Sequence, residues 1–208
     1  MNSIIENFSR NNWIVVRKEK VENFINNFNL ELLSKDKLWI NAGVVSIEHV
    51  PLDVSNYVYY DVGKIVISAP INDFVIIEGK AINVMSKEFC TFLSINADVY
   101  RFTIDIWIPN MVFEFYSKGI LLRSCEFSVD IEREETFIEE KGAQLSIEEG
   151  EADFLDMKYG YDDFYYPLGI MNRLGIKNID LEKALNAPCS IYRLEESRIE
   201  KIKNEFEN

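Results

Sequence analysis

Residues 99–108 read VYRFTIDIWI, and their strict alternation decides the fold class. Tyr100, Phe102, Ile104, Ile106 and Ile108 fall on one side of an extended chain, and Val99, Arg101, Thr103, Asp105 and Trp107 on the other. The first set is wholly apolar or aromatic, so the stretch predicts a strand with one face in a core. Pro109 ends it. Immediately downstream, residues 111–129 (MVFEFYSKGILLRSCEFSV) read as a hairpin turning at Lys118 and Gly119. With a two-residue loop, paired positions sum to a constant, which sets Tyr116 opposite Leu121, Glu114 opposite Arg123 and Val112 opposite Cys125. Glu114 and Arg123 are then expected to form a cross-strand ion pair worth about 0.2–1 kcal/mol to the sheet. A longer loop breaks that pairing.

Working back from the strand, Ser86 can cap a short helix over SKEFCTFLSINAD, with Phe89, Phe92 and Leu93 on one face. Before it, residues 74–80 (FVIIEGK) read as a strand ended by Gly79. Residues 38–74 contain β-branched and aromatic runs, LWINAGVVSIEHV, YVYYDVG and KIVISAP, which predict strands joined by turns at Pro51, Asp53, Ser55, Asn56 and Gly63. Val21, Phe24, Ile25 and Phe28 recur at i, i+3, i+4 and i+7, the spacing of an amphipathic helix over residues 19–30. A short apolar run, residues 13–16, precedes it.

Working forward, residues 135–138 suggest a strand or loop, followed by a turn at Lys141 and Gly142. A short helix then starts at Ser146, with Glu149 in the capping-box position. Phe137, Ile138, Leu145, Ile147, Phe154 and Leu155 are enough to pin this region to a core. Asp162 and Asp163 cap a helix over residues 164–174 with Pro167 in its first turns, and Asp180 caps LEKAL. SIYRL reads as a last strand, and residues 195–206 as a charged helix with Ile199, Ile202 and Phe206 on one stripe. Neither an internal repeat nor a linker interrupts the chain. The expectation is one α+β domain over residues 1–208, a mainly antiparallel sheet with flanking helices.

Charge is unevenly spread. Residues 126–163 hold fourteen acidic side chains against three basic ones, an excess of eleven within a net charge of -13 over 208 residues. Such a chain repels phosphates, which argues against nucleic acid and against an anionic membrane, and a basic protein is its natural counterpart. Cys90, Cys125 and Cys189 are odd in number, lack CxxC spacing and sit in apolar segments, so buried reduced thiols are expected. The first thirteen residues lack the apolar core of a signal peptide, and no run reaches the roughly 18 residues of a membrane span. A cytoplasmic location follows.

Residues arranged for chemistry are few. His49 is the only histidine and lies in an apparent strand beside no Ser or Cys pattern, so it reads as structural. Nine dispersed glycines form no phosphate-binding loop, and the acidic residues form no DxDxDG calcium loop. Paired carboxylates could serve a glycosidase, but with so many of them any choice of two is arbitrary. No cofactor, no metal and no catalytic residue is expected. The acidic stretch is either a solvated face or a recognition surface in which carboxylates steer a partner and rings anchor it. The candidate partner-binding residues are Glu132, Glu134, Glu135, Glu139, Glu140, Glu148, Glu149, Glu151, Asp153, Asp156, Tyr159, Tyr161 and Tyr165.

INDFVIIEGKAINVMSKEF, the SKGILLRS hairpin with Gly119 and Arg123, EKGAQLSIEEGE with Gly142, Leu145 and Glu148, and LGIKNIDLEKAL together resemble a poorly characterised bacterial family of immunity-type proteins associated with toxin loci. The likeness spans about residues 71–185. It implies an α+β fold and a non-enzymatic role, and it transfers no catalytic residue. The expected function is therefore an immunity-like inhibitor that neutralises a basic toxin or effector, a nuclease being one such target, its carboxylates standing where nucleic-acid phosphates would. Two other classes remain as alternatives: an enzyme acting on a small molecule or glycan through pocket carboxylates, and a structural scaffold, homodimeric or larger.

Overall fold

Extended, β-rich runs at both ends of the chain meet in one sheet. The computed structural model describes residues 10–42, 63–105, 110–130, 135–148 and 165–207. Its strands are β1 (Arg10–Arg17), β2 (Glu31–Ser34), β3 (Lys64–Ile67), β4 (Phe74–Glu78), β5 (Val99–Asp105), β6 (Asn110–Ser117), β7 (Ile120–Asp130), β8 (Glu135–Lys141) and β9 (Ser190–Arg193). They order as β2-β9-β3-β4-β1-β5-β6-β7-β8. Every neighbouring pair is antiparallel.

The helices are α1 (Val21–Phe28), α2 (Trp39–Ala42), α3 (Lys80–Leu93), α4 (Tyr165–Arg173), α5 (Asn178–Leu185) and α6 (Glu196–Glu207). They cover both faces of the sheet's centre. Trp13, Val15, Ile76, Phe102 and Phe113 pack with Trp39, Met171, Leu181 and Leu185 on one face. Ile14, Val16, Ile65, Val75 and Ile77 pack with Phe24, Phe28, Ile82, Phe89 and Ile199 on the other. Burial on both sides is why WIVV and FVII are continuous apolar runs rather than alternating ones. Phe89 meets Phe24 and Phe28 edge-on, at centroid separations of 5.1 and 4.7 Å.

Three predicted features differ. Residues 39–42, read as strand, form α2, because the buried Trp39 ring lies over the sheet and its indole N–H donates to Glu78 Oε1 at 2.7 Å. The helix expected from Ser86 begins at Lys80, after Gly79, and its geometry breaks at Met85 (φ -129°, ψ 27°), one residue before the anticipated cap. Burial of Ala81, Ile82 and Met85 holds the early turn in place. Asp180 lies in the first turn of α5 rather than at its cap; its carboxylate accepts the N–H of Lys177, the actual N-cap, at 3.3 Å. His49, residues 57–62 of YVYYDVG, Ile106, Ile108 and the expected caps Asp162 and Asp163 lie outside the described residues. Among the described residues no helix is long and apolar enough to cross a membrane.

The hairpin corrects the ion-pair expectation. Lys118 (φ 55°) and Gly119 (φ 76°) both adopt positive φ, the signature of a two-residue type I′ turn, and Gly119 N–H donates to Ser94 O at 3.2 Å. Tyr116 faces Leu121 as counted, but the register then shifts past Leu122, so that Phe115 faces Arg123, Glu114 faces Ser124 and Phe113 faces Cys125. A β-bulge has inserted one residue. Glu114 instead pairs across to β5, where Arg101 Nη1 donates to its Oε2 at 2.7 Å. Arg123 turns onto the core face.

Candidate partner-binding edge

β8 is the last strand of the sheet, and its sequence ETFIEEK alternates. Ile138 and Glu140 face the side packed by the α4 layer, opposite Phe127 and Cys125 of β7. Phe137, Glu139 and Lys141 face the other side, opposite Ser128, Glu126 and Ser124. On this outward side Phe137 is 51% exposed and the Glu139 side chain 68%. Glu126 and Glu139 thus stand directly across from each other, a like-charge pair that disfavours the ladder. Lys141 Nζ approaches Glu139 Oε1 at 3.2 Å, an exposed contact of small worth. Further along the same face, Arg101 also donates to Asn12 Oδ1 (3.1 Å) and Thr103 Oγ1 (3.1 Å), while Tyr116 donates to Glu114 Oε2 (3.0 Å), so its charge is already satisfied.

Beneath the edge lies a buried ion cluster. The Arg123 side chain is 2% exposed and that of Glu148 0%. Arg123 Nε donates to Glu148 Oε1 and Oε2 at 3.1 and 3.2 Å, and Nη2 to Oε1 at 2.9 Å. Glu148 Oε2 also accepts Leu145 N–H at 2.7 Å, closing the 3-10 turn at Ser146–Glu148. Burial opposes the Arg123 charge, but hydrogen bonds to Glu148 and Glu140 and their carboxylate charges outweigh it and raise its pKa. Glu140, half-exposed at 49%, lies 3.2 Å from Arg123 Nη2. Cys125 Sγ donates to Glu140 Oε1 at 3.7 Å; burial first, then the Glu140 charge, push this thiol up to about 12. All three cysteines are free and buried.

Glu148 is therefore withdrawn from the candidate surface, because it neutralises the arginine that the bulge turns inward. Glu139 and Glu140 sit together on β8. Glu135 and Tyr165 open β8 and α4 respectively. Glu132, Glu134, Glu149, Glu151, Asp153, Asp156, Tyr159 and Tyr161 lie outside the described residues. Two surface residues were missed. Phe137, expected to pin the segment to the core, is half-exposed while Ile138, Leu145 and Ile147 do the pinning. Glu126 gains its importance only from facing Glu139. The period-2 pattern of ETFIEEK was the available signal, since it sets Phe137 and Glu139 opposite Ile138. Among the described residues no three His, Cys, Asp or Glu side chains gather as metal ligands.

No family model, curated protein or solved structure matches the chain.

Proposed function

We propose that this chain is a binding protein of the immunity type, which neutralises a basic protein effector through the acidic, aromatic-bearing edge formed by β7 and β8. The observation that carries the reading is the Glu126–Glu139 pair beside exposed Phe137. Two carboxylates facing each other cost the isolated sheet, and a cation laid over them would remove that cost. Phe137 supplies apolar area that binding would bury next to the charges, the combination of a desolvated anchor and a steering field. The ion-paired Arg123 cluster below holds the edge's register and offers no open cation to compete.

The reading is tested by capture. Tagged wild-type protein and its E126K/E139K variant are exposed to native lysate at low and moderate salt, and retained proteins are identified by mass spectrometry. A basic protein held by wild type, released by salt and lost to the variant supports the proposal. Equal recovery on both baits, or recovery of no basic protein, refutes it.

A further inference from the structure

β8 ends the sheet, and among the described residues no strand lies on its outer side. Such an edge presents a row of backbone N–H and C=O groups that template pairing with another chain. Charge selects what can dock. A second copy would bring Glu139 and Glu140 against an equally acidic strand, whereas a basic segment would meet both favourably. We infer that β8 is a pairing edge onto which an extended basic segment of the partner adds as a tenth strand; this rests on the functional reading above.

The register states what that segment must carry. Along β8, Glu140, Glu139, Ile138 and Phe137 follow one another on alternate faces. An antiparallel guest therefore places two consecutive basic residues opposite Glu140 and Glu139, then two apolar residues opposite Ile138 and Phe137. The second basic residue also falls in line with Glu126, two strands away on the same face, and the last apolar one covers the half-exposed Phe137 ring. A parallel guest reads the same four positions in reverse. Backbone hydrogen bonds supply affinity in this mode of recognition and alternate side chains supply selectivity.

The test uses two synthetic probes on the full chain at low ionic strength: acetyl-Thr-Lys-Arg-Val-Val-Thr-amide and its reversed-order counterpart, with binding followed by calorimetry. The probe that binds is then remade with N-methyl groups on alternate residues, in both possible registers. Methylation removes N–H donors and leaves side-chain charge unchanged. Only alternate guest N–H groups face the edge, so one methylated form is expected to lose at least about tenfold in affinity while the other retains most of it. Failure of both probes to bind, or retention by both methylated forms, overturns the pairing edge. The E126K/E139K variant separates the two claims: if it loses the unmethylated probe while both methylated forms still bind wild type, the acidic surface stands and only strand addition falls. Undiminished binding to that variant removes the acidic surface itself.

Discussion

Replacing Arg123 with methionine should be among the most damaging single changes on this side of the molecule. The substitution keeps a long apolar stem but removes the cation from Glu148, whose side chain is fully buried and keeps the Leu145 N–H as a donor. Stranding one charge of a buried pair costs about 3–5 kcal/mol. For a chain of this size each kcal/mol lowers the melting temperature by roughly 2–4 °C, so a fall of roughly 6–20 °C is expected. Glu140 can turn to water, and Glu140→Gln should therefore cost less than about 1 kcal/mol. Replacing both members, R123M/E148M, removes both buried charges and should recover most of the loss, since buried pairs are often matched by hydrophobic substitutes. The assay is urea unfolding at neutral pH, followed by far-UV circular dichroism and by fluorescence, to which buried Trp13 and Trp39 contribute. A single variant costing less than about 1 kcal/mol, or a double variant costing the sum of the two singles, would refute the buried-pair account.

Three further outcomes follow from other sites. Glu126→Lys turns the like-charge pair with Glu139 into an attractive one, so it should raise stability by about 0.2–1 kcal/mol while weakening capture of a basic partner; chemical denaturation and capture, run together, separate the two effects. Gly142→Ala should be far costlier than Gly119→Ala: both positions have positive φ, worth roughly 1–2 kcal/mol, but a Cβ at 142 would lie 1.9 Å from Leu122 O, against 3.6 Å from Ile95 Cγ1 at 119. Comparable thermal shifts for the two would contradict the close approach. Stability should decline in alkali, because Cys125 (ordinary value 9.0, about 12 when folded) and Tyr100 (10.0, about 12) are raised by burial first of all. The unfolded chain then loses these protons first, so their contribution is intact below pH 9 and disappears as pH climbs to about 12. A urea midpoint unchanged between these limits would contradict it, and Y100F should blunt the decline.

What the sequence makes legible follows from how local each signal is. β5 announces itself because the rings and aliphatics of Tyr100, Phe102 and Ile104 alternate with Arg101 and Thr103, and the turn at Lys118–Gly119 is written in two adjacent residues. α2 is not legible, since WINA has strand-like neighbours and becomes helical through Trp39 reaching Glu78, thirty-nine positions away. At the candidate site two errors share one origin. Reading Glu148 as one more carboxylate of the acidic stretch, and Arg123 as opposite Glu114, keeps the two apart; the extra residue at 122 moves Arg123 to the core side, where Glu148 meets it. No local pattern in ILLRS marks that bulge, because three consecutive aliphatics fit either register. The acidic edge was visible as composition, but the facing of Glu126 and Glu139 depends on the β7–β8 register.

The same bulge gives the hairpin an unusual tolerance for length change. In a regular strand, loss of one residue exchanges the two faces for every position beyond it. Here Tyr116 already faces Leu121 and Phe115 already faces Arg123, so a chain shortened by Leu122 alone would run as an unbroken ladder with Arg123, Cys125 and Phe127 still directed at the core. Drift in length is thus permitted at position 122, whereas an insertion near Ser124 would evict Cys125 and Phe127 from the interior.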